Sequence, residues 1–234
     1  MYKYLLAATL SCTALGSCDT LNKVAQQYST ISESEAAEGI RQALDKGVDR
    51  GVSLLHAKDG FFGNAAYKLL LPPEAQRVES TLRQLGMGSM VDRAILQINR
   101  AAEEAVVQAR PIFGQALRNM TIADAIGIVR GGQNSATTYF RDKTTTQLVA
   151  AFSPIIKSTL GQLNATKYYD ELVSLYNGFP TTRQKLNPDL GAYVTEKAVT
   201  ALFDQVAQEE ANIRTNVAAR STDVLRKVFG YAGK

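Results

Sequence analysis

The clearest periodicity in this chain lies between Ser89 and Arg110. Val91, Ile95, Ile98, Ala102, Ala105 and Ala109 recur there at alternating intervals of four and three. That spacing places all six on one stripe of an α-helix. Alanine at half of the positions predicts that a neighbouring helix packs closely. Pro111 is expected to end or kink the element. An earlier stripe, Ile40, Leu44, Val48, Val52 and Leu55, follows Ser32-Glu33-Ser34-Glu35, which has capping-box spacing. Ala43, Gly47 and Gly51 lie four apart on the same helix. Glycine in mid-helix costs about 1 kcal/mol relative to alanine, so a second helix is expected to approach closely there.

Between these two helices, Asp59-Gly60 and Gly63-Asn64 mark a turn, with Phe61 and Phe62 as core plugs. Pro72-Pro73-Glu74 reads as a helix start, with Val78, Leu82 and Leu85 facing inward and Gly86 as the stop. Gly86-Met87-Gly88 follows a helix rather than a strand and lacks a third glycine, so it is no dinucleotide loop. Thr121, with Asp124 three residues on, caps a helix whose Ile122, Ala125, Ile126 and Val129 face inward and which Gly131-Gly132 terminate. Residues 135–152 look helical with a break near Arg141 to Thr144, and Pro154 begins another segment through Leu163. Residues 166–176 are dense in tyrosine (Tyr168, Tyr169, Tyr176), and Gly178 to Pro188 is the longest loop-like stretch. A long helix from about Asp189 to Asn216 and a last one over Ser221 to Phe229 complete the chain. No strand pattern or internal repeat emerges. The expected class is all-α: a single compact multi-helix domain of about nine or ten helices behind a flexible N-terminal tether.

The apolar run at the start has a different character. Lys3 precedes an apolar stretch from Leu5 to Leu15, broken by Thr9, Ser11, Cys12 and Thr13. It is too short for a spanning helix, which needs about 20 apolar residues, and it suits the h-region of a signal peptide. The run ends in Leu15-Gly16-Ser17-Cys18, which matches the lipobox of bacterial lipoprotein precursors. Residues 1–17 are therefore expected to be removed. The Cys18 thiol would take a diacylglyceryl group and its freed amine a palmitate-type chain, since one acyl chain alone anchors only marginally. Residues 18–33 form a polar, lipidated tether, and 34–234 the helical domain. The expected location is the cell envelope, lipid-anchored and facing the periplasm, with inner and outer membrane both open.

Composition narrows the chemistry. A hydrophobic content of 45% with 21% charged residues describes a globular chain. The net charge of +4 is interspersed, and without a Lys/Arg cluster no nucleic-acid partner is expected. Cys12 leaves with the leader and Cys18 carries lipid, so the domain has no thiol for disulfides, thiolate catalysis or metal binding. With His56 as the single histidine, no multi-histidine metal site can form within the chain. No cofactor is expected.

One position looks costly. On the helix carrying Val199, Leu202, Phe203, Val206, Ile213 and Val217, Glu210 falls in the middle of the apolar face. A buried carboxylate must be protonated or matched by a cation, and Arg214 lies one turn on. Asn99 and Glu103, on one flank of the alanine-rich helix with Arg110 further along, are candidate polar partners. Two readings follow: a polar pocket with Glu210 as acid, base or ligand anchor, or a buried ion pair that fixes how helices cross. No activated nucleophile, phosphate loop, Gly-x-Ser-x-Gly elbow or metal motif accompanies it, which leans away from an enzyme. His56 suits a helix end or the surface better than catalysis, and the tyrosines suit core or groove walls.

Five blocks in order resemble a known family: Asn99-Arg100-Ala101-Ala102-Glu103, Met120-Thr121-Ile122-Ala123-Asp124-Ala125, Ala136-Thr137-Thr138-Tyr139-Phe140, Glu209-Glu210-Ala211-Asn212-Ile213-Arg214 and Leu225-Arg226-Lys227-Val228-Phe229-Gly230. They look like an exported bacterial family catalogued as domain of unknown function 4197, over about Ile40 to Gly230. The resemblance implies a helical, often lipid-anchored envelope protein and carries over no catalytic residue. The leading expectation is thus a membrane-anchored, periplasm-facing binding or scaffold module. Its partners would be the membrane, through the acyl chains on Cys18, and an envelope protein. A hydrophobic-ligand carrier and an envelope hydrolase using Glu210 are the alternatives.

Overall fold

The stripe from Val91 to Ala109 is buried along its whole length in the computed structural model, which describes residues 32–162, 169–170, 173–174, 177–178, 185, 189–220 and 226. The leader, the lipobox and the tether up to residue 31, Tyr168 and Tyr176, most of the loop-like stretch 178–188 and nearly all of 221–229 lie outside the described residues, and Glu33, expected in the tether, already belongs to the first helix. The helices are α1 (Glu33–His56), α2 (Gln76–Gln84, entered through a 3-10 turn at Pro73–Ala75), α3 (Gly88–Ala105), α4 (Ala109–Arg118), α5 (Ile122–Arg130), α6 (Ser135–Gln162) and α7 (Leu190–Thr215). The described residues contain no strand.

The class is all-α as expected, but seven helices rather than nine or ten have their bounds among the described residues, with further helical positions at 169–170, 173–174, 177–178 and 226, and α3 runs on into α4 through a single 3-10 turn. Both differences trace to prolines and threonines. Pro111 does not end the run. It sits in the first turn of α4, and the expected break falls instead at the 3-10 turn Val106–Gln108. Pro111 has no N–H for the Val107 carbonyl and its ring crowds that group, so the chain tightens there and continues.

In α6 neither expected break occurs. The hydroxyls of Thr144 and Thr145 donate back to the carbonyls of Phe140 and Arg141, both at 2.6 Å, inside an unbroken helix. Pro154 lies within α6 rather than at the start of a new one. An interior proline costs about 3 kcal/mol. Ala136, Phe140, Thr144, Leu148, Phe152, Ile156 and Leu160, four apart, are all buried, and each large apolar side chain contributes about 1.5–3 kcal/mol. Packing therefore outweighs the proline.

α6 lies along α7 and α3, and α1 lies along α7, α5 and α4. The small residues of α1 explain how closely it sits on α7. A Cβ on Gly47 or Gly51 would stand 3.3 Å from the Glu209 Cβ or 3.2 Å from the Gln205 Cβ. At the centre, Phe113 meets Phe140 edge-on at 4.8 Å and Phe203 at 6.0 Å.

Three positions expected to face inward do not. Ile122 opens α5 and is half exposed, Leu85 falls just past α2, and Val217 lies beyond the end of α7 in a short 3-10 turn. Each sits at a helix end, where the face has no neighbour to cover it. The Thr121 cap forms as expected: its hydroxyl accepts the Asp124 N–H at 3.1 Å, and Asp124 accepts the Thr121 N–H at 2.9 Å.

Candidate functional site

The costly glutamate resolves into a helix cap. The first N–H groups of any helix lack intrahelical acceptors, and those of α6 are buried. Glu210 reaches across from α7 to satisfy them: Oε1 accepts the Ala136 N–H at 3.1 Å, and Oε2 accepts the Thr137 N–H at 2.9 Å and its hydroxyl at 2.8 Å. Arg214 donates to Oε1 through Nε at 3.0 Å and Nη2 at 2.8 Å. Its Nη2 also reaches the Ile128 carbonyl at the end of α5 (2.9 Å) and the Ser135 hydroxyl (2.6 Å). The carboxylate thus balances an arginine, sits at the positive end of the α6 dipole and ties α5, α6 and α7 together. Its side chain is 4% exposed and lines neither of the described clefts. A hydrolase acting through Glu210 needs an open cleft, so that role has no support from the geometry.

Asn99 and Glu103 do not join Glu210. They hold the connection between α1 and α2. Glu103 Oε1 accepts the N–H groups of Phe61 and Phe62 at 3.1 and 3.2 Å, and Oε2 pairs with Arg100 at 2.5 Å. Arg100 also binds Asp59 at 2.7 Å, whose φ of 67° is left-handed. Gly60 completes the turn. A Cβ there would lie 2.4 Å and 2.5 Å from the carbonyl oxygens of Leu54 and Leu55, so only glycine lets the chain fold back onto α1. Phe61 is fully buried as expected of a core plug, whereas Phe62 is only half-buried, with the Lys68 ammonium 4.3 Å from its ring centre. His56 meets the Glu103 carbonyl at 2.8 Å through Nδ1, an end-of-helix tie rather than a catalytic base. Arg110 bonds Ser53 and Asp49 of α1.

What this connection builds is a cleft. Residues 66–71 with Pro73 and Gln76 form one wall, and Tyr193, Lys197, Thr200, Ala201 and Asp204 of α7 form the other, enclosing about 440 Å³. Tyr67 pins the walls together. Its hydroxyl donates to Asp204 Oδ2 at 2.6 Å and accepts from Gln205 and Gln208, both at 2.7 Å. Burial, reinforced by the bond to Asp204, pushes the Tyr67 phenol up to about 12. Because the folded chain keeps this proton longer than the unfolded one, the stabilisation is complete below the unfolded tyrosine value of about 10 and is lost as pH rises towards 12. Stability measured by urea denaturation is expected to fall across that window, and Tyr67→Phe to remove that part of the slope.

None of the cleft residues stands out in the sequence. Tyr67 and Lys68 precede three leucines and two prolines with no helical period, and the bond from Tyr67 to Asp204 spans 137 positions. The run of apolar residues bounded by Pro72 was the available signal for an extended, non-helical wall. Tyr169 is buried, in line with a core role.

Among the described residues no group of three or more His, Cys, Asp or Glu could hold a metal ion, and no helix is long and apolar enough to cross a membrane. No curated protein and no solved structure matches the chain. A family described as protein of unknown function (DUF4197) matches residues 30–230. The five sequence blocks and this match over most of the chain agree: the protein belongs to the DUF4197 family.

Proposed function

We propose that this protein is a membrane-anchored, periplasm-facing binding module of the bacterial envelope, held by acyl chains on Cys18, with the cleft between residues 66–76 and α7 as its recognition site. The cleft carries the reading. Its volume of about 440 Å³ falls in the range of ligand sites, and such sites combine an apolar lining with a few fixed polar groups. Here Leu69, Leu70, Leu71, Pro73 and Ala201 supply the lining, while Tyr67 and Asp204 are locked by hydrogen bonds that orient them for recognition rather than free them for proton transfer. A carrier of a hydrophobic ligand would use the same lining.

Two measurements test the reading. Cys18→Ser is expected to abolish palmitate labelling and release the protein from membranes. A photo-crosslinking residue at Thr200, in the cleft, is expected to give a discrete adduct in living cells, whereas one at Thr146, exposed on α6 outside the cleft, gives none. Unchanged labelling, or equal crosslinking from both sites, contradicts it.

A further inference from the structure

Asn99 acts on the backbone beside the cleft in a specific way. Its Oδ1 accepts the Leu69 N–H at 2.8 Å, and its Nδ2 donates to the Leu69 carbonyl at 2.8 Å. A single side-chain amide closes both bonds only when the N–H and C=O of one residue point to the same side, the geometry of an extended residue in a strand. Asn99 therefore stands in for a neighbouring strand. In an extended chain the next residue turns its N–H and C=O the opposite way. Leu70, the next residue, lines the cleft, and no residue of α3 does. Among the described residues neither backbone group of Leu70 has a hydrogen-bond partner, and the residue is 49% exposed. One wall of the cleft is a non-helical segment with a half-exposed leucine whose backbone groups are unpaired among the described residues. The other is a helix.

Charge adds a second constraint. Lys68 and Lys197 border the cleft, with their ammonium groups 4.3 Å from the Phe62 ring centre and 5.7 Å from that of Tyr193. Neither has a carboxylate partner among the described residues. The one acid of the cleft, Asp204, already accepts from Tyr67 and Gln208.

We propose that Leu70 turns its N–H and C=O towards the cleft, opposite to those of Leu69, and that the cleft takes an extended, acidic peptide segment of another protein, added as a strand to Leu70 and lying between residues 68–71 and α7. The proposal rests on reading the cleft as the recognition site. The peptide main chain pairs with the N–H and C=O of Leu70, the recurring mode by which an open edge gains a strand. Apolar side chains of the peptide cover the leucine wall, and carboxylates reach Lys68 and Lys197. With one open residue supplying main-chain bonds, the affinity is modest and falls as salt rises.

The test selects peptides from a random phage-displayed library on the full chain and synthesises the best binder. Acidic peptides with alternating apolar residues are expected, and the bound peptide slows hydrogen exchange at the Leu70 amide. Leu70→Pro removes the donor. Because the Leu70 N–H has no partner and Leu69 is already extended, as a residue before proline prefers, this variant is expected to unfold at the same urea concentration as Leu70→Ala. It is expected to bind about tenfold more weakly than Leu70→Ala, the loss of one main-chain hydrogen bond. If Leu70→Pro does not fold, a peptide N-methylated at its central residues reads the same bonds from the other side and is expected to bind about tenfold more weakly than its parent. Equal binding by Leu70→Pro and Leu70→Ala, equal binding of the N-methylated peptide, selection of basic peptides, or no peptide that competes for the cleft overturns strand addition. Dodecanoate is the control ligand: if it occupies the cleft and peptides do not, strand addition fails while the recognition site stands. Absence of any crosslink from Thr200 removes the recognition site itself.

Discussion

Replacing Glu210 with alanine is expected to lower the stability of the folded chain by about 3–5 kcal/mol, the range for breaking a buried ion pair from one side. Two costs combine. The N–H groups of Ala136 and Thr137 lose their acceptor at a helix start that water does not reach, and buried orphaned donors cost about 1–3 kcal/mol each. Arg214, 13% exposed, keeps its charge without the carboxylate, though the Ile128 carbonyl and Ser135 hydroxyl still hold it. The measurement is the urea unfolding free energy of Glu210→Ala, Arg214→Met and the double variant. The double variant is expected to be less destabilised than the sum of the single ones, because removing both charges relieves the stranded arginine. A loss below about 1 kcal/mol for Glu210→Ala, typical of an exposed pair, would show that the cap across helices contributes little.

The second large effect is at Asn99. It is fully buried, and its amide is used on both sides: the oxygen accepts from Leu69, while the nitrogen donates to the carbonyls of Leu69 and, at 2.7 Å, Ile95. Asn99→Ala leaves the N–H and C=O of Leu69 without partners in the interior, and a loss of about 2–4 kcal/mol is expected from two such groups. Asn99→Asp is the sharper probe. It has the same shape and still accepts from Leu69, but its second oxygen faces two carbonyls where a donor is required. It is expected to be as damaging as alanine near neutral pH and to recover part of the loss in acid, where a protonated carboxyl can donate again. Hydrogen exchange locates the effect: amides of residues 67–71 are expected to exchange faster in both variants, while those of the α6 stripe slow or quicken only with global stability. Unchanged exchange at 67–71 would contradict the bracketing role of Asn99.

These two residues also show what kind of information a linear sequence carries. The apolar stripes of α1, α3 and α7 were legible because a helix repeats every 3.6 residues, so neighbours in space are neighbours in sequence. The close approach of α1 to α7 was legible for the same local reason: small residues four apart leave room for whatever helix comes. Glu210 was legible as an anomaly, a charge in the middle of an apolar face, and its pairing with Arg214 followed from helical spacing. Its main task was not legible, because the start of α6 lies more than 70 positions away. Asn99 and Glu103 share a flank of α3, and polar groups on a helix announce a partner but not which one: theirs are Leu69, Phe61 and Phe62 rather than Glu210. The overcounted helices have a local cause too. Threonine and proline are weak helix residues by propensity, and in α6 the burial of Phe140, Leu148, Phe152, Ile156 and Leu160 outweighs that preference.

The sequence by itself therefore determined the all-α class, the inward faces of the long helices, the Thr121 cap and the membership of a helical family. All of these rest on short-range periodicity and local hydrogen bonding. Only the tertiary structure decided that Glu210 caps α6, that Asn99 and Glu103 brace a chain segment instead of completing a pocket, and that Tyr67 and Asp204 frame a cleft. Each of those depends on contacts between residues far apart in the chain. Which polar group meets which across such distances is set by the packing of whole helices, and no spacing along the sequence encodes it.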